Sequence, residues 1–366
     1  MADRWDVFCR IVDNYGDAGV CWRLARQLAA EHALDVTLWI DRLATLARIA
    51  PSIDAAQRVQ RADNVVVRLF DDEAAAPPDV VVEGFGCGLP KHYVNAMAKS
   101  PAPPLWFNLE YLSAEPWVDT AHALASPLPH LPLTRYFWFP GFTPKTGGLI
   151  REAGLFAARD AWQARQADDA GALRVLLFCY PNRALPALFD AWAEGDEPIV
   201  CTVPEGTATA ALDAWLYGAV PRAGQSITRG RLGLDVVPFA TQDDFDRTLW
   251  GSHINFVRGE DSFVRAQWAA RTLVWQPYPQ AEDAHRLKLD AFVDRYGHGL
   301  AQSAEMPLRA FWQAFNDEDG AATATAWPPF RAAIPACDPH ARRWADMLAT
   351  VPDLATGMVE FARRRL

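Results

Sequence analysis

The chain has 366 residues, 51% of them hydrophobic and 22% charged, and 35 Lys and Arg against 45 Asp and Glu leave a net charge of −10. That apolar share supports sizeable cores and excludes wholesale disorder, and the length suits two domains better than one. An acidic chain is poorly suited to phosphate backbones, which are held by clustered Lys and Arg, so no nucleic-acid partner is expected and a cationic partner is.

The N-terminal MADRWDVFCR carries a charge pair and no apolar signal region, and no stretch reaches the run of about 18 apolar residues that spans a bilayer. The expected location is cytoplasmic, without a membrane partner. Cys9, Cys21, Cys87, Cys179, Cys201 and Cys337 are scattered, with no C-x-x-C pair and no His at finger spacing, so neither a zinc site nor a disulfide framework is signalled. Cys9, Cys179 and Cys201 lie in apolar runs and are expected to be small buried hydrophobes.

In chain order, short apolar runs predict strands at 5–12, 36–40, 65–70, 79–83, 105–109 and 136–139, with a long helix over 20–30. A Pro- and Gly-containing loop and a polar Ala-rich stretch interrupt the rhythm between 140 and 171, and a second series places strands at 174–179, 198–203, 234–237, 253–257 and 272–275. The runs are continuous rather than alternating, as in parallel strands covered by helices on both faces. The predicted fold is α/β with two Rossmann-like, doubly wound domains: residues 1–150, a linker at 151–172, and residues 173–340. Residues 341–366 are expected to form helices, broken at Pro352, that return to the N-terminal domain; the terminal Arg363, Arg364 and Arg365 suit a helix dipole.

Doubly wound sheets bind ligands beyond the carboxyl ends of their strands, so chemistry is sought in the loops that follow strands. After the first strand comes VDNYGDAGV, in which Gly16 and Gly19 allow a tight turn and Asp13 and Asp17 set two carboxylates at the sheet edge. This is not the dinucleotide fingerprint, and its acids would repel a pyrophosphate, so they suit a cation or a proton to be taken. The alternative has Asp17 capping the helix and Asp13 closing a turn, and the residue types do not choose between them.

In the second series, FVRGEDSFVRAQ places Glu260, Asp261 and Ser262 at a helix start, where amides and dipole bind anions, with Arg258 just before the turn to offset a leaving diphosphate. An ordinary acidic cap with Arg258 in a structural ion pair explains the same residues. The loop VPFATQDDFD holds Phe239 and Phe245, able to sandwich a base, and Gln242, able to read its edge; Thr241 to Asp244 also matches a capping box. Asp244 and Asp246 spell D-x-D, but at a helix start they point apart, so no metal pair is expected. The glycine-rich EGFGCGLP at 83–90 is a weaker candidate for backbone contact with a ligand, and Phe178 and Tyr180 follow the first strand of the second series. No G-x-S-x-G elbow and no Cys on a turn before a helix supports acyl transfer.

Taken together, WDVFCRIVDNYGDAGVCWRLARQLAAEH, VVVEGFGCGLP, LWFNLEYLSAEPWV and the run VPFATQDDFDRTLW…NFVRGEDSFVRAQWAARTLVWQPYPQ closely resemble EarP, the family of protein-arginine rhamnosyltransferases that modify translation elongation factor P. The resemblance runs through nearly the whole chain. It implies a GT-B glycosyltransferase whose two Rossmann-like domains face across a cleft, with inversion at the anomeric carbon. It also implies dTDP-β-L-rhamnose as donor substrate, no further cofactor and no metal, and an arginine of elongation factor P as acceptor, which activates that factor for rescue of ribosomes stalled at polyproline.

Carried onto matching positions, the resemblance makes Asp13 and Asp17 the acceptor-side carboxylates and Glu260 a further acid required for turnover. Phe178, Tyr180, Phe239, Gln242, Phe245, Asp261 and Ser262 become donor contacts, with Arg258 in the same motif and Tyr278 lining the donor site; Asn14 and Tyr15 join the substrate-binding set. The one departure is WQPYPQ where the family has WHIYPQ, which leaves the carboxylates intact and alters packing beside the sugar pocket at Gln276. Asp17 is the expected base, because Gly16 and Gly19 flank it on what should be the more exposed part of its loop, and Glu260 is expected to orient the sugar or Arg258. The competing class is a non-catalytic nucleotide-sugar or protein-binding module on the same scaffold, against which the joint presence of Asp13, Asp17 and Glu260 speaks.

Overall fold

The structure is a computed structural model that describes residues 4–13, 15–72, 76–165, 171–280 and 283–366. The chain divides into two compact units, Met1–Ala153 with Leu348–Leu366, and Gly154–Met347.

The first unit runs β1 (Arg4–Cys9), α1 (Gly16–His32), β2 (Asp35–Ile40), α2 (Leu43–Ile49), β3 (Val59–Ala62), β4 (Val65–Leu69), β5 (Val80–Gly84), α3 (Lys91–Lys99), β6 (Leu105–Leu109), α4 (Val118–Ala121), β7 (Ala125–Pro127) and β8 (Thr134–Trp138). Among the described residues these strands form an eight-stranded sheet in the order β3-β4-β2-β1-β5-β6-β8-β7. Every pair is parallel except the two edges, where β3 and β7 run antiparallel to β4 and β8. The order spreads one way from β1 through β2 and β4, and the other way from β5 through β6 and β8. It reverses between β1 and β5, and loops diverging there leave room for a ligand. Continuous apolar runs explain the central strands: β5 and β6 are buried at every position. On one face Phe8 stacks on Trp39 at 5.4 Å and meets Tyr93 edge-on at 4.6 Å.

The second unit runs α5 (Leu155–Gln163), β9 (Leu173–Leu177), α6 (Leu185–Glu194), β10 (Ile199–Pro204), α7 (Thr209–Trp215), β11 (Gln225–Arg229), β12 (Leu232–Val237), α8 (Gln242–Gly251), β13 (Ile254–Arg258), α9 (Asp261–Ala269), β14 (Thr272–Gln276), α10 (Ala284–Gly297), α11 (Gln302–Asn316) and α12 (Gly320–Ala349). Its described strands form a six-stranded sheet, β11-β12-β10-β9-β13-β14, parallel apart from the edge strand β11. Here the order reverses between β9 and β13. Arg265 of α9 forms a buried two-pronged pair with Asp246 of α8, at 2.9 and 2.5 Å, and so fixes the two helices that flank the loops of interest.

Three expectations differ from the structure. The segment 151–172 is not all linker, since α5 lies within it and belongs to the second unit. Helix α12 begins at Gly320 rather than near 340 and crosses Pro328, Pro329, Pro335 and Pro339. All four prolines are exposed, while Trp327, Phe330, Ile334, Cys337, Ala341 and Trp344 make a buried stripe at alternating three- and four-residue spacing. Phe330 stacks on Phe311 at 4.6 Å and Trp327 meets Trp192 at 5.3 Å. Burial of that stripe offsets the missing backbone bonds, each interior proline costing about 3 kcal/mol. Third, the second unit holds α12 as far as Met347, so only the chain from Leu348 onward joins the first.

That return is made by α13 (Leu354–Arg365), which follows the break at Pro352 and packs on α1. Phe361 fits among Phe107, Tyr136 and Trp138, and Arg365 lies over the Tyr136 and Phe361 rings. Gly148 admits the connection: its φ is +71°, and a Cβ there would stand 2.1 Å from the Pro352 carbonyl oxygen. Among the described residues no helix is long and apolar enough to cross a membrane, and all six cysteines are free thiols, five of them buried.

Candidate active site

In the first unit, β1 delivers its following loop to the point where the strand order reverses, and α1 starts from that loop. The turn is closed by the Asp13 carbonyl, which accepts the Gly16 amide at 2.7 Å, and the Tyr15 carbonyl then accepts the Gly19 amide at 2.8 Å. A Cβ at Gly16 would lie 2.8 Å from Asp13 Oδ2, so the half-buried Asp13 carboxylate sits over this residue and a larger side chain would displace it. Tyr15 is the N-cap of α1 and half-buried. Asn14 lies outside the described residues.

Asp17 is not on an exposed part of the loop. It is 3% exposed in the first turn of α1, and its Oδ2 accepts the amides of Val12 at 2.7 Å and Asp13 at 2.9 Å. It does not cap the helix; it pins the loop that precedes it. Burial raises its carboxyl above the ordinary Asp range, the two amides partly oppose that, and the neighbouring carboxylates of Asp13 and Asp41 push it up further. A buried acid with raised proton affinity, held rigidly through one oxygen, is a stronger proton acceptor than an exposed Asp.

Two further carboxylates stand at this sheet edge. Asp41, directly after β2, accepts the Ile11 amide at 3.1 Å and so holds the same loop from the other side. Glu83 in β5 is 2% exposed and accepts the Gly88 amide at 2.8 Å and the Trp106 indole at 3.1 Å, which uses the glycine-rich segment internally rather than for a ligand. The sequence signal for Asp41 was its position, the first residue past a strand.

In the second unit, β9 and β13 are neighbours, and their ends bring the loop of Phe178 and Tyr180 against Arg258. The Arg258 guanidinium lies 4.5 Å from the Phe178 ring centre and 4.9 Å from that of Tyr180, and Nη1 donates to the Cys179 carbonyl at 3.1 Å. Phe245 meets Phe178 edge-on at 5.0 Å, so its described ring partner is Phe178; Phe239 is half-buried in the preceding loop. Tyr278, 42% exposed after β14, meets Tyr180 at 5.6 Å. Gln242 is buried and its Nε2 donates to Asp261 Oδ2 at 3.2 Å, while Thr241 caps α8 by accepting the Asp244 amide. Asp244 binds Arg247 and Asp246 binds Arg265, so the two acids of the D-x-D do point apart.

The turn into α9 uses Gly259 at φ +57°, with Glu260 as N-cap and no side-chain cap bond. The helix start leaves amides and a positive dipole end beside Arg258. Ser262 bonds within the turn itself. Its hydroxyl donates to the Arg258 carbonyl at 2.6 Å and accepts the Arg258 amide at 3.1 Å, which makes it the clamp of the turn. The role of Gln276 was also only partly visible beforehand: buried at the end of β14, its Oε1 accepts the Tyr180 amide at 2.9 Å.

Each unit taken by itself has a loop at such a reversal point: in the first it carries carboxylates, which suit a cation, and in the second a guanidinium beside a helix start, which suits an anion. The family model described as elongation factor P (EF-P) rhamnosyltransferase EarP matches residues 5–363. The chain belongs to the EarP family. Among similar relatives, the protein-arginine rhamnosyltransferase of Pseudomonas putida is 47% identical with all of both chains covered, and that of Pseudomonas aeruginosa 45% identical with 98% of each covered. A solved structure described as the structural basis for EarP-mediated arginine glycosylation of EF-P superposes with a TM-score of 0.71 at 36% identity, covering 99% of each chain. MurG of Acinetobacter baumannii, at 13% identity and a TM-score of 0.52 over 99% of each chain, shares the fold. The architecture is GT-B, two Rossmann-like units, as in the EarP structure.

Proposed function

We propose that this chain is an inverting protein-arginine rhamnosyltransferase that moves L-rhamnose from dTDP-β-L-rhamnose to an arginine of EF-P. Family membership supports the activity and the acceptor. The observation that carries the donor side is the stacking of Arg258 on Phe178 and Tyr180 beside the start of α9. A thymine ring suits the aromatic neighbourhood of Phe178, Phe239 and Phe245, with Gln242 and Asp261 at its edge. The diphosphate suits Arg258 and the α9 amides, which meet the negative charge that grows as the sugar leaves.

An arginine side chain is a weak nucleophile, since its pKa exceeds about 12 and its nitrogen lone pairs are delocalised. Asp13 and Asp17 bind the guanidinium and hold one nitrogen toward the anomeric carbon, which raises its effective concentration and localises its charge. As the C–N bond forms, the bond from that carbon to the diphosphate oxygen breaks, and dTDP departs with the electron pair. The attacking nitrogen gives one proton to Asp17 Oδ1, because both amide bonds address Oδ2. Glu260 serves in orienting the sugar hydroxyls or Arg258. The test is intact-mass spectrometry of EF-P incubated with this chain and dTDP-rhamnose. One added deoxyhexose on an arginine is expected; an unmodified EF-P would reject the proposal.

A further inference from the structure

Gln276 ends the strand β14, and it holds both loops that meet at the reversal point of the second sheet. Its side-chain Oε1 accepts the Tyr180 amide at 2.9 Å, from the loop after β9. Its main-chain oxygen accepts the Gly259 amide at 3.1 Å, from the turn after β13. The neighbouring Trp275 completes the hold, its indole donating to the Gly259 carbonyl at 2.8 Å. Gln276 is 5% exposed and Tyr180 6%, so this bond is shielded from water.

We infer that Gln276 is a positioning residue for the donor: by tying Tyr180 and Gly259 to one strand end, it sets the spacing between the Arg258 stack and the first turn of α9. The inference rests on the donor site proposed above. Tyr180 is 6% exposed and its ring faces both Arg258 and Tyr278, so a shift of its backbone moves the surface against which the guanidinium lies. Gln276 touches no reacting atom in this reading; it acts through Tyr180. The bond to Gly259 uses the main chain and survives any substitution, so a side-chain change isolates the Tyr180 arm.

The experiment uses the full chain and two variants, with dTDP as calorimetric probe and the Tyr180 amide resonance as a direct reporter. Gln276→Met keeps length and volume but has no oxygen to accept. It is expected to weaken dTDP binding about tenfold, the effect of leaving a buried amide without its acceptor. The KM for dTDP-rhamnose should rise accordingly while kcat and the KM for EF-P stay within about twofold, and the Tyr180 amide should exchange faster with solvent. Gln276→His, whose neutral ring nitrogen can accept, should recover most of the affinity at pH 8 and slow that exchange again. Equal dTDP affinity in Gln276→Met and the parent overturns the inference, as does a parallel loss of kcat and both KM values. A parent chain that binds no dTDP overturns the donor site itself and this inference with it.

Discussion

The Arg258 guanidinium lies 4.5 Å above the centre of the Phe178 ring. The contact holds a planar cation against a π face while Nη1 donates to the Cys179 carbonyl. Arg258→Lys keeps the charge but loses the flat stack and the fork of donors, including the bond to Cys179. Stacking of this kind contributes about 0.5–2 kcal/mol. Calorimetry with dTDP should show roughly tenfold weaker binding; unchanged affinity would remove Arg258 from the donor site.

Asp17 serves the loop and, in the proposed mechanism, the proton, and two substitutions separate these. Asp17→Asn retains an oxygen for the Val12 and Asp13 amides but cannot take a proton; transfer should fall by about 10²–10⁴ while dTDP binding persists. Asp17→Ala leaves both amides without an acceptor and should also cost about 2–3 kcal/mol in denaturant unfolding. Because burial raises the Asp17 carboxyl above its usual 3.8, kcat/KM should rise with pH through a limb displaced above that value. Near-parental turnover in Asp17→Asn would exclude it as the base.

Asp6 lies inside β1, where its Oδ2 accepts the Tyr93 hydroxyl at 2.5 Å and burial pushes its carboxyl up to about 6, against the partial opposition of that bond. The folded state therefore holds this proton more tightly than the unfolded chain. The contribution to stability is fully present below pH 3.8 and is lost as pH rises through about 6. A rise of about two units corresponds to about 3 kcal/mol. Asp6→Asn should raise the unfolding midpoint at pH 8 and leave it nearly unchanged at pH 3.5; equal effects at both would show that Asp6 is not the titrating group.

Gly148→Ala tests the return of the chain to the first unit. At φ +71° and with a Cβ 2.1 Å from the Pro352 oxygen, alanine forces the 148 loop and the start of α13 apart. The left-handed conformation alone costs about 1–2 kcal/mol, and the collision adds to it. Chemical denaturation should report a loss of about 3 kcal/mol or more, with faster hydrogen exchange in α13. A stability within about 0.5 kcal/mol of the parent would show that the connection rearranges freely.

Much of the fold was legible because parallel strands covered on both faces must be continuous apolar runs; β5 and β6 were visible for that reason. The edge strands β3, β7 and β11 were not, being short, polar and antiparallel, with most of their residues exposed. Helix α12 was hidden by its four prolines, whose local signal is a break, although the aromatic stripe beneath them keeps it helical. At the candidate site, the loops were placed by their position after strands. The partners of Ser262, Asp17 and Gln276 were not, since each is chosen by backbone that comes from a turn or a neighbouring strand.

Hydrophobic period and loop position are local properties, so the linear order of residues sufficed to announce two doubly wound sheets, with acids after the first strand and a cation before the α9 turn. Which strands become neighbours is not local. Pairing β9 with β13 carried Cys179, with Phe178 beside it, to Arg258 across 79 positions of chain, and the burial of α1 turned Asp17 inward onto two amides. Those outcomes follow from how much apolar surface each arrangement removes from water, a quantity that exists only once the elements are packed.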